Sequence, residues 1–83
     1  MPKITIYSTP TCAFCQMAKE FFATHNLAYT DINVAEDRVK AQEMVEKSGQ
    51  LGVPVIVIAN SGKENIVIGF DRAELTSLLD VKK

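Results

Sequence analysis

No apolar run in this chain approaches the roughly 20 residues that a helix needs to cross a bilayer, so the sequence offers no membrane span. An excess of charge of one sign is also missing. Nine basic and ten acidic residues are interspersed, which leaves no electrostatic footprint for nucleic acid or an acidic membrane surface. There is no low-complexity tract and no internal repeat, so residues 1–83 read as one small domain, too short for a second core. No basic stretch followed by an apolar one precedes the fold, because Met1-Pro2-Lys3 runs directly into the first strand. A cytoplasmic, monomeric protein is expected. Histidine is nearly absent: beyond the two thiols His25 is the one further Cys or His side chain, and a structural zinc site is built from about four of these. The two cysteines can form one bridge at most. A bridge between Cys12 and Cys15 closes too small a loop to restrain the unfolded chain much, so it is a poor structural staple.

What the chain does have is a hydrophobic content of 47 %, which argues for a packed globule over disorder. Ile4-Thr5-Ile6-Tyr7 is β-branched and aromatic and alternates in polarity, which predicts a strand. Ser8-Thr9-Pro10-Thr11 reads as a turn and helix start. Phe14, Ala18, Phe21, Phe22 and His25 then fall on one face of a helix. Leu27 to Ile32 alternates again and predicts a second strand. Asn33 with Glu36 resembles a capping box, and Ala41, Met44, Val45 and Ser48 mark one face of a second helix ending at Gly49. After the turn Gly49-Gln50-Leu51-Gly52, the apolar run Val53 to Ala59 predicts a strand covered on both faces. Asn60-Ser61-Gly62-Lys63 reads as a hairpin loop returning through Ile66-Val67-Ile68. Asp71 with Glu74 opens a last helix that turns Leu75, Leu78 and Leu79 inward. The order is βαβαββα. With right-handed crossovers this gives an α/β fold, a four-stranded mixed sheet flanked by three helices.

Thr11-Cys12-Ala13-Phe14-Cys15 places two thiols one helical turn apart where the first strand feeds the first helix. Two cysteines at this spacing can be half of a zinc site, two buried small residues or a redox dithiol. Cys12 falls at the helix start, where unpaired N–H groups and the dipole favour an anion, and off the apolar stripe. Cysteines so placed have pKa values of roughly 3.5 to 7.5. Cys15, three residues on, lies on nearly the same side and within bridging reach. Pro54, just before a strand-like run, is tolerated only at a strand's start or edge.

Strand, Cys-x-x-Cys at a helix start and a later Val-Pro before a strand together resemble the thioredoxin fold, and glutaredoxins in particular, over essentially the whole chain. Tyr7-Ser8-Thr9-Pro10-Thr11-Cys12-Ala13-Phe14-Cys15 is similar to the glutaredoxin active-site loop, and Gly52-Val53-Pro54-Val55 to its cis-proline segment. The resemblance implies a thiol-disulfide oxidoreductase acting on protein or small-molecule disulfides. Cys12 would attack and Cys15, nearer the buried face, would resolve the mixed disulfide. It also implies a cis Val53–Pro54 bond and a Val53 backbone free to pair with an extended substrate. Tyr7, Thr9, Phe14, Val53, Pro54, Gly69, Phe70 and Asp71 would surround that substrate, although packing in the strand explains Tyr7 equally. No bound cofactor is implied, and glutathione is a candidate reductant. Some relatives hold an iron-sulfur cluster across a dimer with glutathione's help, which leaves a cluster carrier as a third role.

The chain departs from the glutaredoxin pattern where glutathione would be held. Ala13-Phe14 stands in place of the usual proline and tyrosine. Thr9 occupies the position of a lysine that meets a glutathione carboxylate, and Gly69-Phe70-Asp71-Arg72 replaces Gly-Gly-x-Asp. Gly69-Phe70 resembles the glutaredoxin-like hydrogen donors reduced by a thioredoxin reductase, so an enzyme of that type is the expected electron source, with glutathione coupling the alternative. Lys19 matches a lysine found in many glutaredoxins seven residues after the first cysteine. It reads as a solvated lysine before it reads as support for the thiolate. His25 reads as a helix C-terminal residue.

Overall fold

A computed structural model describes residues 3–50, 52–60 and 62–79 of the chain. Its elements are β1 (Lys3–Ser8), α1 (Ala13–Thr24), β2 (Tyr29–Asn33), α2 (Arg38–Ser48), β3 (Val55–Asn60), β4 (Lys63–Ile68) and α3 (Arg72–Leu79). The strands form one sheet in the order β2-β1-β3-β4. β1 runs parallel to β2 and antiparallel to β3, and β3 runs antiparallel to β4. This is the thioredoxin-fold topology expected from the βαβαββα order.

The sheet separates two apolar layers. Ile4, Ile6, Ile56, Ile58 and Val67 face α1 and α3, where they meet Ala18, Phe21, Phe22, Leu75 and Leu79. On the opposite face Tyr7, Val55 and Val57 meet Met44 of α2. Strand alternation sends neighbours such as Val55 and Ile56 to opposite layers, so β3 is buried on both sides. Each fully buried side chain of this size contributes about 1.5–3 kcal/mol.

Several boundaries differ from the sequence pattern for local reasons. β2 starts at Tyr29, not Leu27. Asn26 is left-handed (φ 56°), and the Leu27 N–H is still bonded to the Phe22 carbonyl at 2.8 Å, so the chain is turning there. α2 is capped by Asp37, whose Oδ1 accepts the Lys40 N–H at 3.0 Å, and not by Asn33. Asn33 remains in the ladder opposite Ser8, and its own Oδ1 accepts the Ala35 N–H at 2.9 Å in a local turn. Gly49 ends α2 in the left-handed conformation, φ 71°, which glycine adopts without steric cost.

β3 begins at Val55, because Pro54 has no N–H to give the ladder. β4 reaches back to Lys63, three residues before the apolar part of the strand. Asn60 pairs with Lys63 across a two-residue connection. Met1-Pro2, Leu51, Ser61 and residues 80–83 lie outside the described residues, and the expected turn Gly49-Gln50-Leu51-Gly52 and loop Asn60-Ser61-Gly62-Lys63 fall partly on them. α1 also presents a shifted stripe: Cys15, Ala18, Phe21 and Phe22 are buried, while Phe14 is 59 % exposed. Cys15 takes the inward position of the first turn, which leaves the neighbouring residue to point outward. Leu75 and Leu79 are buried as expected, with Leu78 packed beside them. No helix among the described residues is long and apolar enough to cross a membrane.

Candidate functional site

Strand direction gathers the chemistry at one end of the sheet. The C-terminal ends of β1, β2 and β4 and the start of β3 coincide there, since Ser8 pairs with Asn33, Tyr7 with Val55, and Val55 with Ile68. Each of those C-terminal ends feeds a helix, so α1, α2 and α3 all begin at this end.

Cys12 is the N-cap of α1, with extended φ/ψ of −87° and 112°. Its N–H bonds to the Thr9 carbonyl at 3.3 Å, its carbonyl accepts the Gln16 N–H at 3.2 Å, and its Sγ accepts the Cys15 N–H at 3.1 Å. The sulfur thus holds the place that a serine or aspartate oxygen usually fills at a helix start. The structure closes Cys12 and Cys15 as a disulfide, with Cα atoms 5.2 Å apart. Cys12 is partly exposed and Cys15 fully buried. Reduction of the bridge leaves Cys12 Sγ where an N–H and the positive end of the helix favour its anion. Phe14 and Met17 stand exposed on the first turns of α1 beside it.

The Val53–Pro54 bond is cis. Pro54 is buried, and Val53 stands ahead of both ladders, which begin at Val55. Gly69, left-handed at φ 78°, donates its N–H to the Pro54 carbonyl at 2.8 Å and ties the end of β4 to the proline segment. Phe70 follows, half-buried, its ring centroid 6.1 Å from that of Phe21 in an edge-to-face arrangement. Asp71 caps α3, its Oδ1 accepting the Glu74 N–H at 3.1 Å. Thr9, Phe14, Val53, Pro54, Gly69, Phe70 and Asp71 therefore share the end of the sheet that holds Cys12.

Tyr7 does not join them. Its ring is 1 % exposed in the layer under α2, and its hydroxyl donates to Glu43 Oε1 at 2.6 Å. Strand alternation sends Tyr7 to that face and Ser8 to the face under α1. Burial and the Glu43 bond push the Tyr7 hydroxyl far above its ordinary range, and the same bond holds Glu43 below the usual carboxylate range.

Lys19 is also placed differently from a solvated lysine. Its Nζ lies 2.8 Å from Asp31 Oδ2 and its side chain is 18 % exposed. Asp31 Oδ1 accepts the Ser8 hydroxyl at 2.6 Å. Burial pushes the Asp31 carboxyl up, but Lys19 and Ser8 outweigh it and hold the group below its ordinary value. The sequence pattern puts Ser8 in a turn and Asp31 in a strand and gives neither a part in the site, whereas the structure ends β1 at Ser8 and bonds the two. The available signal was an acidic residue in the alternating strand on the side of Tyr29, which faces α1. His25 caps the far end of α1, its ring tilted by 58° against that of Phe21 with centroids 4.6 Å apart, well away from the thiols. Among the described residues no group of three or more His, Cys, Asp or Glu side chains is placed to hold a metal ion.

Comparison with known proteins agrees with this geometry. The profile of the Glutaredoxin family matches residues 4–62. An uncharacterized glutaredoxin-like 8.6 kDa protein in the rubredoxin operon of Clostridium pasteurianum is 44 % identical over 77 residues, covering 93 % of this chain and 97 % of the relative. The glutaredoxin-like protein NrdH of Lactococcus lactis is 33 % identical over 79 residues, 90 % of this chain and 97 % of that one. Among solved structures, the glutaredoxin-like protein NrdH-redoxin from Escherichia coli, described as having a thioredoxin-like activity profile, superposes with a TM-score of 0.74 at 26 % identity, covering 92 % of this chain and 93 % of that one.

Proposed function

The chain belongs to the glutaredoxin family, and from that premise we propose that it is a dithiol oxidoreductase that reduces protein or small-molecule disulfides and is itself recharged by a thioredoxin-reductase-type enzyme. The observation that carries the reading is the Cys12 sulfur at the N-cap of α1, accepting the Cys15 N–H, with Cys15 buried behind it. The Cys12 thiolate attacks one sulfur of a substrate disulfide. A mixed disulfide forms and the other substrate sulfur leaves as a thiolate, which takes a proton from solvent. Cys15 then loses its proton and attacks Cys12 Sγ, which releases the second substrate thiol and closes the Cys12–Cys15 bridge. The substrate gains two electrons and the pair loses two, so a reductase must return them before the next cycle.

Three features favour an enzyme over glutathione as the source of those electrons. Thr9 supplies no cation for a glutathione carboxylate. Phe70 stands where a second glycine would leave room, and its ring is braced against Phe21. Asp71 already spends one carboxylate oxygen on the cap of α3. The thioredoxin-like activity profile attributed to NrdH-redoxin points the same way. The reading assigns the protein to the cytoplasm, where thiols are kept reduced and a dithiol has electrons to pass on.

Oxidised protein given NADPH with thioredoxin reductase is expected to consume NADPH rapidly when a disulfide substrate is added. NADPH with glutathione and glutathione reductase is expected to support only slow turnover, and rapid turnover there would overturn the choice of reductant. In the same assay Cys12→Ser is expected to be inactive and Cys15→Ser to stop at a mixed disulfide visible by mass. Full activity of Cys12→Ser would sink the redox assignment itself.

A further inference from the structure

Ser8 is the buried polar side chain among the described residues, 2 % exposed, at the end of β1 four residues before Cys12. Its hydroxyl donates to Asp31 Oδ1 at 2.6 Å, and Asp31 Oδ2 meets Lys19 Nζ at 2.8 Å. The chain of contacts joins β1, β2 and α1 on the face that α1 covers. Lys19 lies one turn beyond Cys15 and therefore on the same side of the helix. A hydroxyl, a carboxylate and an ammonium are thus gathered on the face that α1 covers, with Lys19 one helical turn from Cys15, and the exchange steps described above use none of them.

Their charges have opposite consequences for a thiolate. Lys19 alone would add to the positive field at the start of α1, and Asp31 alone would oppose it. Held 2.8 Å apart they nearly cancel, and the helix N-terminus is left as the main field on Cys12. Glu36, Asp37, Arg38 and Lys40 line an open groove together with Asp31, and water screens them there.

We propose that Lys19 and Asp31 form a charge-balanced positioning pair in which neither charge acts unopposed on Cys12, so that the thiolate population and the redox equilibrium of Cys12–Cys15 are left to the helix N-terminus, with Ser8 fixing the carboxylate. The inference rests on Cys12 being the attacking thiol.

The test compares Lys19→Gln, Asp31→Asn and the double variant in two measurements on the whole protein. One is the pH midpoint of Cys12 alkylation by iodoacetamide. The other is the dithiol-disulfide ratio in dithiothreitol buffers. Seven residues at about 1.5 Å each put Lys19 roughly 10 Å from Cys12. A net unit charge at that distance, with an effective dielectric of about 40–80, changes the thiolate equilibrium about two- to four-fold. Asp31→Asn is expected to lower the midpoint and to favour the dithiol by that factor. Lys19→Gln is expected to raise the midpoint and to favour the disulfide. The double variant should return to within about twofold of the starting protein.

A purely structural role would weaken folding in both single variants and move their midpoints the same way or not at all, and either result overturns the proposal. The double variant, neutral and of similar shape, keeps the comparison valid if one single variant folds poorly. An unsubstituted Cys12 that titrates like a free thiol, at about 8.5, would instead overturn the redox reading, while the opposed shifts would still decide the charge balance.

Discussion

Cys12 shows how one side chain acquires reactivity from its address. The same thiol in the middle of α1 would have no free N–H to meet, because interior N–H groups are spent on carbonyls four residues back. At the N-cap its sulfur accepts the Cys15 N–H. That much was legible in the sequence, since a turn-forming run followed by an amphipathic stretch places Cys12 at a helix start. The fate of Tyr7 was not. Alternation alone could not say which face of β1 would look toward the cysteines, and packing sent Tyr7 under α2 to bond with Glu43. Tyr7→Phe is therefore expected to leave disulfide reduction intact while lowering stability at neutral pH. Burial and Glu43 raise the Tyr7 pKa in the folded state. Its contribution is then fully present below about pH 10, the unfolded value, and is lost as pH rises above it. Urea unfolding at pH 7 and near pH 10.5 should show the gap between the two proteins narrowing at the higher pH. A constant gap would mean that the hydroxyl is not held protonated by the fold.

Among the elements, α2 carries the clearest lesson in helix starts. Asn33 with Glu36 has the capping-box spacing, whereas Asp37 has Lys40 three residues on and offers only a side chain able to cap. The choice between them is made by β1, which holds Asn33 in the ladder through its pairing with Ser8 and delays the helix by a turn. Asp37→Ala is expected to cost about 1 kcal/mol of stability, measured by chemical denaturation, because the Lys40 N–H loses its acceptor. Asn33→Ala should leave the start of α2 in place. A larger loss from Asn33→Ala than from Asp37→Ala would contradict the assignment of the cap. α3 behaves more simply. Asp71 and Glu74 form the start that the sequence pattern predicted, with Asp71 Oδ1 accepting the Glu74 N–H.

At the scale of the whole molecule, the small domain depends on a sheet buried from both sides. Ile56 is fully buried between α1, α3 and the neighbouring strands. Ile56→Ala is expected to cost about 2–5 kcal/mol, a large part of the roughly 5–15 kcal/mol available to a domain. A midpoint shift in urea near the upper end of that range would leave the variant partly unfolded at 37 °C, and a negligible shift would mean that the layer repacks. The same sheet organises the site. Parallel β1 and β2, with β4 running the same way, put three helix starts and the Pro54 segment at one end. Phe14, Met17, Val39 and Ile68, the large exposed apolar residues among the described ones, belong to the elements that begin or end there.

The amino-acid sequence by itself determined the element order, the βαβαββα fold and the identity of the reactive pair. Each of these follows from short-range chemistry: hydrophobic period, turn residues, and two thiols spaced by one helical turn at a helix start. Tertiary structure alone decided which face each strand residue serves, where α2 begins, and what Lys19 meets. Those outcomes depend on partners more than ten residues away in the chain, as when β2 brings Asp31 to Ser8 and Lys19, and no local pattern encodes the register that joins them.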